Sequence, residues 1–272
     1  MKNLNGKTAL VTGASRGIGV HIVDALTKKG VNVIGIARGE NGLKATAETV
    51  SENPGSFEHF VFDLSLTDEI MSFSDNLKDR SIDFLVNNAA IEIYRDFENY
   101  QLAEMEKIIR VNLLGPMELT RLMLPQIKTQ RGHIVNIASL AGKKGVLYNG
   151  IYSATKSGLI LWSDALDQEL KPAGVGVTAV CPGYIAETGM FNDGGYPPPP
   201  LLGESDPRKV AKAVIYGIQK KKKEIIVNSG PIKPLLAIGQ IFPRFSDTIV
   251  NWFGVPELCR KRAHESKGGN RT

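Results

Sequence analysis

The residues that most constrain this chain stand near its start. Lys7-Thr-Ala-Leu-Val-Thr12 is a short apolar run, Gly13 to Gly19 a glycine-rich turn, and Val20 to Lys28 an amphipathic helical pattern. Glycines let a backbone approach a pyrophosphate closely, and the amino terminus of the following helix favours its negative charge. The spacing in Thr12-Gly13-Ala-Ser15-Arg16-Gly17-Ile18-Gly19 is Gly-x-x-x-Gly-x-Gly, different from the Gly-x-Gly-x-x-Gly of other dinucleotide folds. Alternating strand and helix patterns continue to about Val227, with strands expected near 31–36, 57–61, 82–86, 132–138, 175–180 and 224–227. This alternation predicts an α/β fold built on a doubly wound parallel sheet. With 272 residues, 42% hydrophobic and 22% charged, the chain can bury one substantial core, and no second domain is expected.

Tyr152 and Lys156 are spaced to share one face of a helix expected from about Ile151 to Lys171, which Pro172 and Gly174 would end. A phenol with an unperturbed pKa of about 10 transfers protons poorly at neutral pH unless a cation stabilises its phenolate. Lys156 is placed to supply that cation. Upstream, Val135-Asn-Ile-Ala-Ser139 reads as a buried parallel strand delivering a serine at its carboxyl end, where ligands bind in open α/β sheets. The Ser139 hydroxyl could hold a carbonyl oxygen while hydride arrives at carbon, or it could simply cap a turn. Tyr-x-x-x-Lys alone also describes an ordinary surface pair, so the weight lies in the combination.

Taken in order, Thr12 to Gly19, Asp63-Leu64, Asn87-Asn88-Ala89-Ala90, Asn112, Ser139, Tyr152, Lys156 and Pro182-Gly183 resemble the landmarks of the short-chain dehydrogenase/reductase family. The similarity runs from about residue 5 to 230. It implies a Rossmann-like domain with Tyr152 as general acid in reduction and base in oxidation, Lys156 also on the nicotinamide ribose, and Ser139 orienting the substrate oxygen. Asn112 resembles the asparagine that holds a water between the lysine and solvent; a satisfied polar residue at a helix kink near Gly115 and Pro116 is the other reading. Asp63 resembles the residue that contacts adenine, or it caps the helix beginning near Leu66. Cofactor contacts implied by the resemblance are Gly13, Ser15, Arg16, Gly17, Ile18, Gly19, Arg38, Asp63, Leu64, Asn88, Ala89, Tyr152, Lys156, Pro182 and Gly183, with Ile185 and Thr188 beyond them. Two departures stand out. Ala90 replaces a usual glycine, and Thr188 is displaced by one position from the threonine that normally contacts the cofactor.

Charge decides the expected cofactor. A carboxylate after the second strand would bond a ribose 2′-hydroxyl, whereas arginine accommodates a 2′-phosphate. This chain has Arg38 there and Arg16 in the glycine turn, which predicts NADP(H). The expected activity is carbonyl reduction or alcohol oxidation on a fairly apolar small molecule, by a homodimer or homotetramer. The alternatives are a non-catalytic NADP(H)-binding regulator or membrane-recruited scaffold, and an NAD-dependent hydroxysteroid or polyol dehydrogenase. An intact Asn112, Ser139, Tyr152 and Lys156 set argues against the regulator. Residues 189–207, rich in glycine and proline, are expected to form a substrate lid, with specificity also set around 92–97 and 143–149.

Scattered histidines and the isolated Cys181 and Cys259 give no zinc spacing, and no metal site is expected. Few cysteines and an amino terminus without a signal-like stretch predict a cytoplasmic protein. Within a net charge of +5, the basic side chains cluster locally at Lys220 to Lys223 and in residues 260–272, which argues against nucleic-acid binding. Residues 1–230 are expected to form the catalytic domain and 231–272 a helical extension. In that extension Leu235, Ile238, Phe242, Phe245, Ile249 and Trp252 make an apolar stripe interrupted by Pro243. The stripe suits packing on the core, on a second subunit or over the substrate pocket, and also peripheral membrane contact through residues 233–254.

Overall fold

Each expected strand forms within a residue or two of its anticipated bounds: β1 (Thr8–Thr12), β2 (Asn32–Ala37), β3 (Phe57–Val61), β4 (Phe84–Asn87), β5 (His133–Ile137), β6 (Gly176–Pro182) and β7 (Glu224–Val227). The computed structural model describes residues 3–186, 203–230 and 232–264. The strands make one parallel sheet in the order β3-β2-β1-β4-β5-β6-β7. The order reverses between β1 and β4, the switch point at which doubly wound sheets bind ligands beyond their carboxyl ends.

The helices that join the strands are α1 (Ile18–Thr27), α2 (Glu40–Thr49), α3 (Thr67–Leu77), α4 (Leu102–Ile109), α5 (Gly115–Thr129), α6 (Gly150–Leu170) and α7 (Pro207–Lys220). Side chains alternate across a strand, so a strand covered by helices on both sides must be apolar at successive positions. In β1, Ala9 and Val11 pack with Ile22 and Leu26 of α1 and Val214 and Ile218 of α7, whereas Leu10 packs with Leu119 and Met123 of α5 and Leu166 of α6. All of these are fully or nearly fully buried.

A helix ends where its chemistry says it should. After α6, a single 3₁₀ turn Lys171–Ala173 leads to Gly174 in the left-handed region at φ 75°. Between α4 and α5, residues Arg110–Leu114 form a π-helical turn, the kink expected near Gly115 and Pro116. Beyond β7 come α8 (Ile232–Ile241), α9 (Pro243–Trp252) and α10 (Val255–His264). Pro243, expected to interrupt the apolar stripe, opens α9 at its first position, where a proline loses no hydrogen bond. Ile238, Phe242 and Trp252 of that stripe are exposed, whereas Leu236 and Phe253 line the main cavity. The side chains of Leu235, Phe245 and Ile249 lie outside the described residues. Among the described residues no helix is long and apolar enough to cross a membrane.

One expectation is corrected. Asp63 does not cap α3: the helix is preceded by Leu66 without a side-chain cap bond, and the Asp63 carboxylate instead accepts from the backbone N–H and the hydroxyl of Ser65, both at 2.8 Å. Two residues of separation favour this tight local turn over the longer reach to the helix. Thr188 and residues 189–202 of the expected lid lie outside the described residues. From 203 to 207 the chain returns to the sheet, with Ser205 bridged to Ile185 and Pro207 opening α7.

Candidate active site

At the carboxyl edge of the sheet a cavity of about 1280 Å³ runs from the glycine turn to α10. A drug-sized ligand occupies roughly 300–1,000 Å³, so this space suits a dinucleotide together with a second small molecule. It is lined at one end by Gly13, Ser15, Arg16, Gly17, Ile18, Arg38, Asp63 and Leu64, in the middle by Asn88, Ala89, Ser139, Tyr152, Lys156, Pro182, Gly183 and Ile185, and at the other end by Glu92, Tyr94, Asn149 and Arg262. Thus every described residue expected at the cofactor site lines the cavity except Gly19, which is buried beneath the turn.

The glycine turn is shaped by close approach. Gly13 sits at φ 68°, and a Cβ there would lie 2.9 Å from Ala89 Cα; a Cβ on Gly19 would lie 1.9 Å from the Gly13 carbonyl oxygen. Gly17 precedes α1 at φ 62° and makes no side-chain cap bond, so no side chain at the cap position competes with an anion for the first N–H groups of the helix. The turn is locked to the end of β4. Thr12 Oγ1 accepts from the backbone N–H of Asn88 and Ala89, both at 3.0 Å, and Asn88 Nδ2 donates to Thr12 O at 3.0 Å and Gly13 O at 3.2 Å. Narrow glycine backbone, an open helix amino terminus and neighbouring arginines fit the diphosphate and adenosine parts of a dinucleotide. Arg38 Nη1 lies 3.7 Å from Asp63 Oδ2, so the guanidinium at the end of β2 faces a carboxylate as well as the cavity.

Ser139 follows β5, and its hydroxyl caps a turn, the second of the two readings made of it. Its oxygen accepts from Ala141 N at 3.1 Å, capping the 3₁₀ turn Leu140–Gly142, and the hydroxyl is near enough to Tyr152 to favour its phenolate. That turn rests directly on α6, since a Cβ at Gly142 would lie 2.6 Å from the Lys156 carbonyl carbon. Tyr152 and Lys156 are both buried, 7% and 2% exposed. Burial first, then the Glu92 carboxylate, hold the Tyr152 phenol above the ordinary tyrosine range; the Ser139 hydroxyl and Arg262 pull it back down. Lys156, expected to supply the stabilising cation, donates to Ile137 O at 2.8 Å and lies 5.6 Å from the Tyr152 ring centroid. Burial lowers its pKa to about 8, opposed by Cys181 and Glu92.

Asn112 is buried in the π-helical turn. Its Nδ2 donates to Ile91 O at 2.8 Å and Thr155 Oγ1 at 3.3 Å, and its Oδ1 accepts from Ile91 N at 2.8 Å. Both amide protons are committed, so a water at this side chain is held only through the second lone pair of Oδ1. Here Asn112 ties the loop after β4 to α6, which makes it the satisfied polar residue of the second reading.

Arg262 was not foreseen as a site residue. Counted within a basic tail, it is in fact 8% exposed, with Nη2 2.7 Å from Glu92 Oε1 and its guanidinium carbon 4.1 Å from the Tyr94 ring centroid. A helical reading of 255–264 places Leu258, Cys259 and Arg262 on one face, and all three are buried. Among the described residues no group of three or more His, Cys, Asp or Glu is arranged to hold a metal ion.

What this end of the sheet can do is bind a dinucleotide and exchange a proton beside it, the chemistry of a nicotinamide-dependent oxidoreductase. Comparison with known proteins narrows the class: the short chain dehydrogenase family model matches residues 7–195, and the chain belongs to that family. It is 47% identical over 271 residues to the ketoacyl reductase HetN of Nostoc sp., covering 97% of this chain and 94% of that one. It is 36% identical over 225 residues to the 3-oxoacyl-acyl-carrier-protein reductase FabG of Vibrio harveyi, covering 79% and 90% respectively. A crystal structure of a metagenomic short-chain oxidoreductase in complex with NADP superposes with a TM-score of 0.71 at 32% identity, covering 82% of this chain and 97% of that one.

Proposed function

We propose that this oxidoreductase transfers hydride between NADP(H) and the carbonyl or secondary-alcohol carbon of a fairly apolar substrate. The observation that carries the reading is the meeting of Ser139, Tyr152 and Lys156 in the cavity onto which the glycine turn opens. When bound, the nicotinamide supplies hydride in reduction and accepts it in oxidation. The Ser139 hydroxyl orients the substrate oxygen, and Tyr152 gives its proton to that oxygen as the carbonyl becomes an alcohol, taking it back in reverse. Lys156 holds the ribose and favours the phenolate electrostatically. Arg38 and Arg16 at the adenosine end support a 2′-phosphate, as does the NADP complex of the structural relative.

Ile91, Leu140, Val146, Leu147 and Phe253 give the substrate end its apolar lining. The relatives named as ketoacyl and 3-oxoacyl reductases put 3-oxoacyl thioesters first among the substrates to try. Exposed Leu102, Ile109, Leu114 and Leu161 support a homo-oligomer.

The test is NADPH oxidation, with NADH in parallel, against 3-oxoacyl thioesters and aliphatic, aromatic, steroidal and long-chain carbonyl compounds. NADPH-preferring turnover is expected, reduced by about 10²–10⁴ in Tyr152→Phe while NADPH binding persists. Tight NADPH binding with no turnover across the panel would favour the regulator instead.

A further inference from the structure

Four polar side chains close the substrate end of the cavity, and they come from three separate parts of the chain: Glu92 and Tyr94 from the loop after β4, Asn149 from the residue preceding α6, and Arg262 from α10. One Glu92 oxygen accepts from Arg262 Nη2 at 2.7 Å, and the other accepts from Asn149 Nδ2 at 3.1 Å. The Asn149 carbonyl in turn accepts from Ser153 N at 3.0 Å, the first turn of the helix that carries Tyr152. Glu92 and Arg262 are 12% and 8% exposed at their side chains, so water screens neither charge well. His264 Nε2 lies 3.6 Å from Asp96 Oδ2, a second approach of the same helix to the same loop two residues further on.

A carboxylate buried beside a phenol disfavours the phenolate, and a guanidinium in contact with that carboxylate cancels most of its field. We infer that Arg262 is a positioning residue of the active site: by neutralising Glu92, which is bonded to Asn149 just before α6, the carboxyl-terminal helix sets the charge environment in which Tyr152 transfers its proton. The inference rests on Tyr152 being the proton-transferring group.

The titratable groups at this end of the cavity can be named. Glu92 from the loop after β4 and Arg262 from α10 act on Tyr152 itself, Lys156 comes from its own helix with Cys181 of β6 acting on it, and Tyr94, Tyr184 and Cys259 surround the Glu92–Arg262 pair. Lys144 and Asp247, which also line the cavity, pair with each other at 2.6 Å. Of the charged members, Glu92 and Arg262 act on the phenol with opposite signs.

The experiment compares wild type, Arg262→Met, Arg262→Lys, Glu92→Gln and the double variant Glu92→Gln/Arg262→Met. One readout is the pH profile of kcat/KM for alcohol oxidation. The other is phenolate absorbance with oxidised cofactor bound and no substrate, as a difference against the same protein carrying Tyr152→Phe. In oxidation the phenolate is the active base. Leaving Glu92 uncompensated in Arg262→Met should therefore move the limb to higher pH by about one unit and lower kcat/KM at neutral pH about tenfold. Glu92→Gln should move the limb to lower pH, Arg262→Lys should stay near wild type, and the double variant should return towards it.

That reversal distinguishes charge compensation from a mere tether, because loss of a tether would not move the limb in opposite directions in the two single variants and restore it in the double variant. A common, unshifted limb in all of them would overturn the inference. If Arg262→Met does not fold, Glu92→Gln still decides: an acid shift upholds the inference and an unmoved limb overturns it. Should Tyr152→Phe retain turnover, the proton-transfer reading falls on its own, while the phenolate absorbance continues to report whether the pair tunes Tyr152.

Discussion

Arg38 stands between the Asp63 carboxylate at 3.7 Å and the end of the cavity proposed to take the 2′-phosphate. A charge-assisted bond to phosphate contributes about 1.5–3 kcal/mol, so Arg38→Asp should lower the NADPH-to-NADH ratio of kcat/KM by about 10- to 100-fold. Steady-state kinetics with both cofactors measure this directly, and an unchanged ratio would assign the 2′-phosphate to other groups. Such single positions were readable because a strand-turn-helix pattern fixes where a residue lies relative to the sheet edge: Arg38 directly follows β2, and Ser139 lies just past β5. Arg262 was not readable in the same way. Its neighbours Arg260 and Lys261 make it look like one member of a solvated run, whereas its contacts with Glu92 at 2.7 Å and with the Tyr94 ring are made across the fold, far away in sequence.

Elements rather than residues carry the coupling between Ser139 and the Tyr152 helix. The 3₁₀ turn Leu140–Gly142 can lie against α6 only because Gly142 has no Cβ; one would sit 2.6 Å from the Lys156 carbonyl carbon and 2.8 Å from Ser157 N. Helix backbone cannot give way there, so Gly142→Ala should lift the turn, costing about 1–3 kcal/mol of stability, as overpacking does. Since the lifted turn carries Ser139, kcat should fall more than cofactor affinity. Urea denaturation and cofactor titration of the variant check the two parts separately. The strands were legible because β1, β4, β5 and β6 are buried on both faces and so read as continuous apolar runs. The π-helical form of Arg110–Leu114 was legible only as a kink, because Asn112 is held there by Ile91, a contact made across the fold rather than along the helix.

For the molecule as a whole, the sheet itself imposes a pH dependence through His133, which opens β5 and is 1% exposed. Thr178 Oγ1 donates its only proton to Lys222 O, so the 2.7 Å contact with His133 Nε2 requires the histidine to donate, and Nδ1 is left as a lone pair without a partner among the described residues. Protonating Nδ1 would bury an N–H that has no acceptor. Burial first, then Lys221, accordingly lower the His133 pKa from 6.5 to about 3. Because the folded state refuses a proton that the unfolded chain accepts, stability is full well above the unfolded value of 6.5 and declines as pH falls through it towards the folded value. Linkage puts the loss between pH 7.5 and 5.5 at about 1.4 kcal/mol. His133→Gln should be less stable than wild type at pH 7.5 yet lose less on acidification, by about that amount, when urea midpoints are compared at the two values. Parallel losses in the two proteins would show that His133 is not the residue responsible. The same dependence sets where active-site titrations can be read. From about one pH unit above the unfolded value the His133 contribution is nearly constant, so a limb that moves there with Glu92 or Arg262 reports the site and not this source of destabilisation of the sheet that carries it.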